Sequence, residues 1–446
     1  MTTANDSRFI IVGAGLAGTL MAVYLGRAGF KVDVHEKRPD LRKTDAGPQK
    51  SINLALSARG IHALSLAGLT DEVLDGAVRM PGRMLHAPDG SLAFQPYSKN
   101  PADAINSVSR ARLNITMLNA AEASPNVRLF FEQRCVDADL DRGVAHLHND
   151  RTGETRDSEP GIIIGADGAF STVRARMQRL ERFSYSQDYL DHGYKELTIP
   201  PDDTGRHRMN PNALHIWPRR SFMMIALPNR DGSFTCTLFW PFRGPFGFDN
   251  LRTPAEIERF FGDHFPDTVP LMPTLVDDYR RNPIGTLVTI RCAPWHVNDR
   301  AVLIGDAAHA IVPFYGQGIN AGFEDCVALL DAIRGRPDDL SAAFDAYFRA
   351  RKVNSDTIAD LAVENFIEMR DRTGSPAFLR KKKIERWLDR LLPGYVPLYS
   401  LVSFSRVPYA EAVDRVRRQD RRVRLAFWTI AAFCAIIVAM FVTYLV

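Results

Sequence analysis

Three glycines within six residues, in Gly13-Ala14-Gly15-Leu16-Ala17-Gly18, have the spacing to do chemistry. A β-branched run at residues 8–12 precedes them, and a helical pattern follows to Gly29. A second strand-like run, residues 30–35, ends on Glu36, 18 residues after the last of the three glycines. Strand, glycine turn, helix, strand and acid together make the dinucleotide fingerprint in the context it requires. Gly13, Gly15 and Gly18 would let the backbone approach a pyrophosphate, whose charge rests against the N-terminal end of a helix dipole. Glu36 would accept hydrogen bonds from a ribose. A glycine triplet alone also serves as a tight turn packing a helix on a sheet, and here the flanking strands and the acid favour the nucleotide.

Two later segments carry acids beside glycines. An apolar run at residues 162–165 leads into Ala166-Asp167-Gly168, and another at 301–304 leads into Gly305-Asp306. After the second comes Pro313-Phe314-Tyr315-Gly316-Gln317-Gly318-Ile319-Asn320, a glycine-rich turn opening a helix. Backbone N–H groups at such a helix start would face a ring that accumulates negative charge. Each Gly–Asp pair, taken singly, reads equally well as an ordinary turn.

The elements that must position these residues alternate between strand and helix patterns over residues 8–180. Residues 185–295 are richer in strand-like runs, at 194–199, 213–217, 222–227, 234–239 and 285–291, mostly joined by Pro, Gly and Asn-rich turns. A strand-to-helix pattern returns at 301, and 340–420 reads mainly as helix with Pro-rich breaks. The expected organisation is a nucleotide-binding part split between 1–180 and 296–340 around a β-rich insertion at 181–295, then a helical region at 341–424. Composition agrees with a large globular core: 446 residues, 46% hydrophobic and 24% charged. With 56 basic and 52 acidic side chains the net charge is +4, too even for nucleic-acid binding by bulk charge. Five scattered cysteines without a CxxC pair argue against a disulfide framework or a zinc site, and no metal is expected.

The glycine fingerprint, the Asp-Gly motif and the Gly-Asp motif, in that order, resemble the flavoprotein aromatic hydroxylases. Within them, Ser51-Ile52-Asn53-Leu54-Ala55-Leu56-Ser57, His192-Gly193-Tyr194-Lys195-Glu196-Leu197, Leu214-His215-Ile216-Trp217-Pro218 and Ser233-Phe234-Thr235-Cys236-Thr237-Leu238-Phe239 resemble the kynurenine 3-monooxygenase family. So do Asn320-Ala321-Gly322-Phe323-Glu324-Asp325-Cys326, Glu364-Asn365-Phe366-Ile367-Glu368-Met369 and the run from Tyr399 to Arg406, in a similarity spanning about residues 8–415. The implied fold class is α/β: a Rossmann-like FAD-binding domain of the aromatic hydroxylase type with an inserted β-sheet substrate domain and a helical C-terminal region. The implied activity is a FAD- and NADPH-dependent monooxygenase that hydroxylates L-kynurenine to 3-hydroxy-L-kynurenine with O2, through a flavin hydroperoxide, in tryptophan catabolism toward quinolinate and NAD. The resemblance places the substrate on Arg83, Tyr97, Asn365 and Tyr399. Arg83 suits a carboxylate, since a guanidinium fork pairs it bidentately; without the family, Arg83 reads as a surface charge and the tyrosines as half-buried aromatics. FAD contacts implied in the same way are Ala17, Glu36, Lys37, Arg38, Ala55, Arg110, Cys135, Asp306, Ile319 and Asn320, with Asp167 and Gly318 in the accompanying motifs; Arg112 competes with Arg110 for the pyrophosphate. Asp306 would hydrogen-bond the ribityl chain. Two positions depart from the family pattern: Lys50 stands where an arginine is common before Ser51, and Tyr315 where Phe or His is common. No catalytic acid or base is assigned, because the flavin carries the chemistry.

Residues 425–446 are uncharged and 22 long, about 33 Å as a helix, and Arg415, Arg417, Arg418, Arg421, Arg422 and Arg424 precede them. They read as a single C-terminal transmembrane helix anchoring the protein in a lipid bilayer, with the catalytic body facing the cytosol, at a bacterial inner or mitochondrial outer membrane. A buried C-terminal helix is the other reading. Two other functions remain open at this point: a hydroxylase of another aromatic acid or quinone precursor, and a membrane flavoprotein without turnover.

Overall fold

The computed structural model describes residues 7–43, 53–244, 247–369 and 394–445, with isolated positions between 380 and 392. Lys50 lies outside the described residues. The run at 8–12 forms the strand Arg8–Val12, which pairs in parallel with Ile162–Gly165 on one side and Lys31–His35 on the other. Val127–Phe130 and Ala301–Leu303 extend this sheet in parallel, and His296–Val297 closes one edge antiparallel. Parallel strands covered on both faces need continuous apolar runs, and Phe9, Ile10, Ile11, Ile163 and Ile164 are fully buried. The acid-bearing turns all follow the carboxyl ends of these strands, where open α/β sheets bind ligands.

The helix Leu16–Arg27 starts at the glycine turn and packs against the sheet. Gly18 is required by contact: a Cβ there would lie 2.0 Å from the Gly13 carbonyl oxygen. Gly13 is required by conformation as well, with φ +102° and a Cβ position 2.6 Å from the Ala166 oxygen.

A second sheet has seven strands in the order Ile284–Ala293, Ser184–Ile199, Phe234–Pro241, Phe222–Pro228, Leu214–Arg219, Gly82–His86, Leu92–Pro96. All five strand-like runs read between 185 and 295 lie in it, four of them within longer strands and the run at 213–217 shifted to Leu214–Arg219. The last two strands come from the first 180 residues, and Gly82–His86 joins by parallel pairing with Leu214–Arg219. Side chains alternate between the two faces of a strand. Trp217, Phe222, Met224, Leu238 and Trp240 therefore pack toward the helix Pro254–His264 with Phe260 and Phe261. Ile216, Met223 and Phe239 face the opposite way, onto Phe314 and the later helices. That helix starts on a full capping box, Thr253 with Glu256, and has Pro254 in its first turn.

The C-terminal part carries the helices Gly318–Gly335, Leu340–Ile367, Leu398–Phe404 and Tyr409–Leu445. Tyr409 and Ala412 are fully buried, whereas Phe427, Trp428, Ile430 and Phe433 on the same helix are exposed. Among the described residues no helix is long and apolar enough to cross a membrane, so the expected transmembrane helix is not shown. Side chains 438 and 441–446 lie outside the described residues.

Candidate active site

One continuous cavity of about 660 Å³ runs between the two sheets, within the range of cofactor and small-molecule sites. Gly13, Gly15, Ala17, Glu36, Lys37, Arg38, Ala55, Arg110, Cys135, Asp167, Asp306, Gly318 and Ile319 all line it. So do Arg83, Tyr97, Asn365 and Tyr399. Residues from twelve separate stretches of chain thus share one space.

The nucleotide end is built from backbone and carboxylates. Glu36 ends the strand Lys31–His35; its Oε2 accepts from the Ala14 N–H at 2.9 Å, and its Oε1 accepts from the Arg38 Nε at 2.8 Å. Burial acts to raise the Glu36 carboxyl, but the hydrogen bonds from Arg38 and Ala14 outweigh it and hold the group below the usual carboxylate range. Asp167 Oδ2 accepts from the N–H groups of Thr172 and Val173 at 2.7 and 3.3 Å, fixing the start of the helix Thr172–Met177. Its Oδ1 is buried without a partner. Asp306 opens onto the cavity, deep inside the protein. Burial raises its carboxyl, while Arg110 and His309 pull the other way.

A FAD molecule fits these residues. The chain leaves a close-approach glycine cradle beside a helix N-terminus, an orphaned carboxylate oxygen at Asp167, and an acid, Asp306, with no hydrogen-bond partner among the described residues. The Gly316 turn (φ +67°) then starts the helix Gly318–Gly335 on the ring side.

Two expected contacts look different in three dimensions. Gly18 does not line the cavity; it makes room for the turn. The Asn320 side chain is spent on protein: its Nδ2 donates to the Ala55 and Gly316 oxygens, each at 2.9 Å, and its Oδ1 accepts from the Ser57 and Gly60 N–H groups at 2.9 and 3.2 Å. Only its backbone is left for a cofactor. The Cys135 thiol contacts the Asp137 oxygen, and burial pushes it up to about 12, so it stays protonated.

At the other end, Arg83 sits 5.7 Å from the ring centres of both Tyr97 and Tyr399. Its guanidinium makes no hydrogen bond or ion pair among the described residues. Tyr97 stacks on Tyr399 at 5.1 Å, and Tyr399 on Tyr315 at 5.6 Å, so the departure at Tyr315 extends a three-ring stack. The Tyr97 hydroxyl, beside that of Tyr399, is buried without a well-formed hydrogen bond. Asn365 donates to the Phe314 oxygen at 2.6 Å, which leaves its side-chain carbonyl for a ligand. Burial raises the hydroxyls of Tyr97, Tyr315 and Tyr399, keeping all three neutral.

The sequence marks the β-rich insertion as the substrate domain but singles out none of the side chains in the wall between these ends. Leu214, Ile216, Met223, Ile225, Leu227 and Phe239 form it, all from the cavity-facing side of the seven-stranded sheet. Thr237 is the polar member of that wall, its hydroxyl buried and unpartnered. Period-two alternation along residues 214–239 could have separated these side chains from those packed on the helix. Also unread was a buried charge cluster behind Gly305: Asp325 accepts from the Gly305 N–H and the Arg351 Nε, and pairs with His309.

The FAD binding domain family matches residues 6–351. A kynurenine 3-monooxygenase of Myxococcus xanthus is 50% identical over 92% of this chain and 88% of its own length. The chain belongs to the kynurenine 3-monooxygenase family. A family member from Dictyostelium discoideum is 47% identical over 90% of this chain and 89% of its own. Among solved structures, 2-methyl-3-hydroxypyridine-5-carboxylic acid oxygenase superimposes with a TM-score of 0.68 at 21% identity, over 84% of this chain and 95% of that one. That likeness shows the aromatic hydroxylase fold. FAD is the cofactor of the kynurenine 3-monooxygenase family and NADPH its co-substrate.

Proposed function

We propose that the protein is a FAD- and NADPH-dependent monooxygenase that converts L-kynurenine and O2 to 3-hydroxy-L-kynurenine. One observation carries the reading: an arginine without an anionic partner stands at the end of an apolar, aromatic-lined pocket continuous with the dinucleotide cavity. An aromatic amino acid has the matching polarity, a carboxylate for Arg83 and a ring for the apolar wall. The relatives' names supply the particular substrate.

In this mechanism Arg83 pairs with the substrate carboxylate, and Tyr97, Tyr399 and the Asn365 carbonyl complete the polar contacts. The wall from Leu214 to Phe239 holds the ring and excludes water, which protects reactive oxygen species from unproductive release. Bound FAD supplies the transfer of reducing equivalents from NADPH to O2. Glu36 and Arg38 would hold its ribose, Arg110 would neutralise the pyrophosphate, Asp306 would bind the ribityl chain, and the helix start at Gly318–Ile319 would offer N–H groups to the ring. The substrate's own amine directs the reaction to the neighbouring ring carbon, so no protein acid or base is required.

The experiment supplies FAD, NADPH and L-kynurenine in air and reads NADPH consumption together with product mass. Substrate-dependent oxidation with a product one oxygen heavier supports the assignment. Oxidation giving hydrogen peroxide alone would make kynurenine an effector, and no stimulation would remove it.

A membrane role belongs to the same proposal. Six exposed arginines precede a helix half whose Phe427, Trp428, Ile430 and Phe433 all face outward. The uncharged sequence continues to residue 446, which supports insertion in a bilayer with the cationic flank on the cytosolic side.

A further inference from the structure

Arg59 is a fully buried arginine that touches neither end of the cavity, yet it joins the elements that build both. It lies on the helix Ala58–Leu66, directly after the strand that places Ala55 in the cavity. Its Nη1 donates to Glu324 Oε1 at 2.7 Å, on the helix Gly318–Gly335. Its Nε donates to the Val402 oxygen at 2.9 Å, and its Nη2 to the Val407 oxygen. Val402 belongs to the last turn of Leu398–Phe404, where carbonyls lack partners within the helix and a cation suits the dipole. The guanidinium also lies 4.0 Å from the centre of the Tyr409 ring, whose hydroxyl donates to Gln317 Oε1 at 3.0 Å.

Leu398–Phe404 carries Tyr399. It is seven residues long. So short a helix has little stability of its own. What fixes it is tertiary contact: Arg83 lies against the Tyr399 ring, and Arg59 holds the backbone at the helix end.

We infer that Arg59 is a positioning residue for substrate binding: it holds the Tyr399 helix in place as a wall of the cavity. Lysine cannot replace it, because a point charge cannot serve two carbonyls, a carboxylate and a ring face at once. The inference rests on the kynurenine reading and assigns the support of one of its contacts.

The test is a double-mutant cycle on the kynurenine dissociation constant of the FAD-loaded protein, measured by equilibrium dialysis. Arg59→Lys and Tyr399→Ala should each weaken binding roughly tenfold. The double variant should be no weaker than Tyr399→Ala alone, because the contact that Arg59 supports is already gone. For Arg59→Lys, KM should rise about tenfold while kcat falls less than threefold. Phe260→Ala, in the separate core behind the sheet, controls for general destabilisation and should lower the melting temperature without changing kynurenine affinity. If Arg59→Lys does not fold, Glu324→Gln loosens the same hub and enters the same cycle. Multiplying effects in the double variant, or an Arg59→Lys protein with wild-type affinity, would overturn the inference. Failure of the unmodified protein to bind kynurenine would instead remove the substrate reading.

Discussion

At the scale of single residues, the decisive feature is a charge left without a protein partner. Arg83 has no hydrogen bond or ion pair to lose among the described residues, so Arg83→Ala should leave the melting temperature within about 2 °C of the parent. It should weaken kynurenine binding roughly 10- to 100-fold, the range for losing a charge-assisted hydrogen-bonded pair. Calorimetry and equilibrium dialysis on the same sample check both halves, and a large stability loss would mean that Arg83 holds protein instead. The glycine fingerprint was legible because its residues are close together and backbone geometry dictates them. Arg83, Tyr97, Asn365 and Tyr399 were reachable only through family likeness, since nothing local in the sequence marks them as neighbours. Asn320 shows the opposite limit: its place in a motif was readable, but the four hydrogen bonds that occupy its side chain were not.

At the scale of elements, those four bonds have a consequence. The helix Ala58–Leu66 begins at Ser57, whose side chain does not cap it. Asn320 does so from another helix, by accepting the N–H groups of Ser57 and Gly60. Asn320→Ala should therefore cost about 3 kcal/mol of unfolding free energy, because it strands buried donors and acceptors. Urea unfolding of the FAD-free protein measures it, and a loss below about 0.5 kcal/mol would show the cap to be dispensable. Strand identity was well marked between 184 and 293, where β-branched and aromatic runs are set off by turn residues. What could not be read was that Gly82–His86 and Leu92–Pro96 belong to the same sheet. Gly82–His86 joins it through Leu214–Arg219, more than a hundred residues away, and pairing at that separation depends on tertiary packing that leaves no local pattern.

For the whole molecule, pH and the apolar helix half set the working conditions. Burial pushes His35 and His215 down to about 4, against about 6.5 in an unfolded chain. Between those values the unfolded chain binds more protons, so stability is fully present above about pH 6.5 and falls as pH drops toward 4. The slope is at most about 1.4 kcal/mol per pH unit for each histidine. Urea midpoints at pH 7 and pH 5 test it against a His35→Phe variant, which should lose part of the decline. Ending the chain after Arg424 should abolish sedimentation with liposomes while leaving FAD content unchanged. Continued sedimentation would move the membrane contact elsewhere.

The helix Tyr409–Leu445 runs without a break from the buried Tyr409 past the exposed Phe427, Trp428, Ile430 and Phe433. If a bilayer holds the outer half, the tilt of the helix would fix the tilt of the flavin cavity, to which Tyr409 connects through its hydrogen bond to Gln317. An attachment of this kind confers orientation as well as location. Swapping the outer half for another anchor at a different rotational phase would turn the cavity mouth toward a different direction.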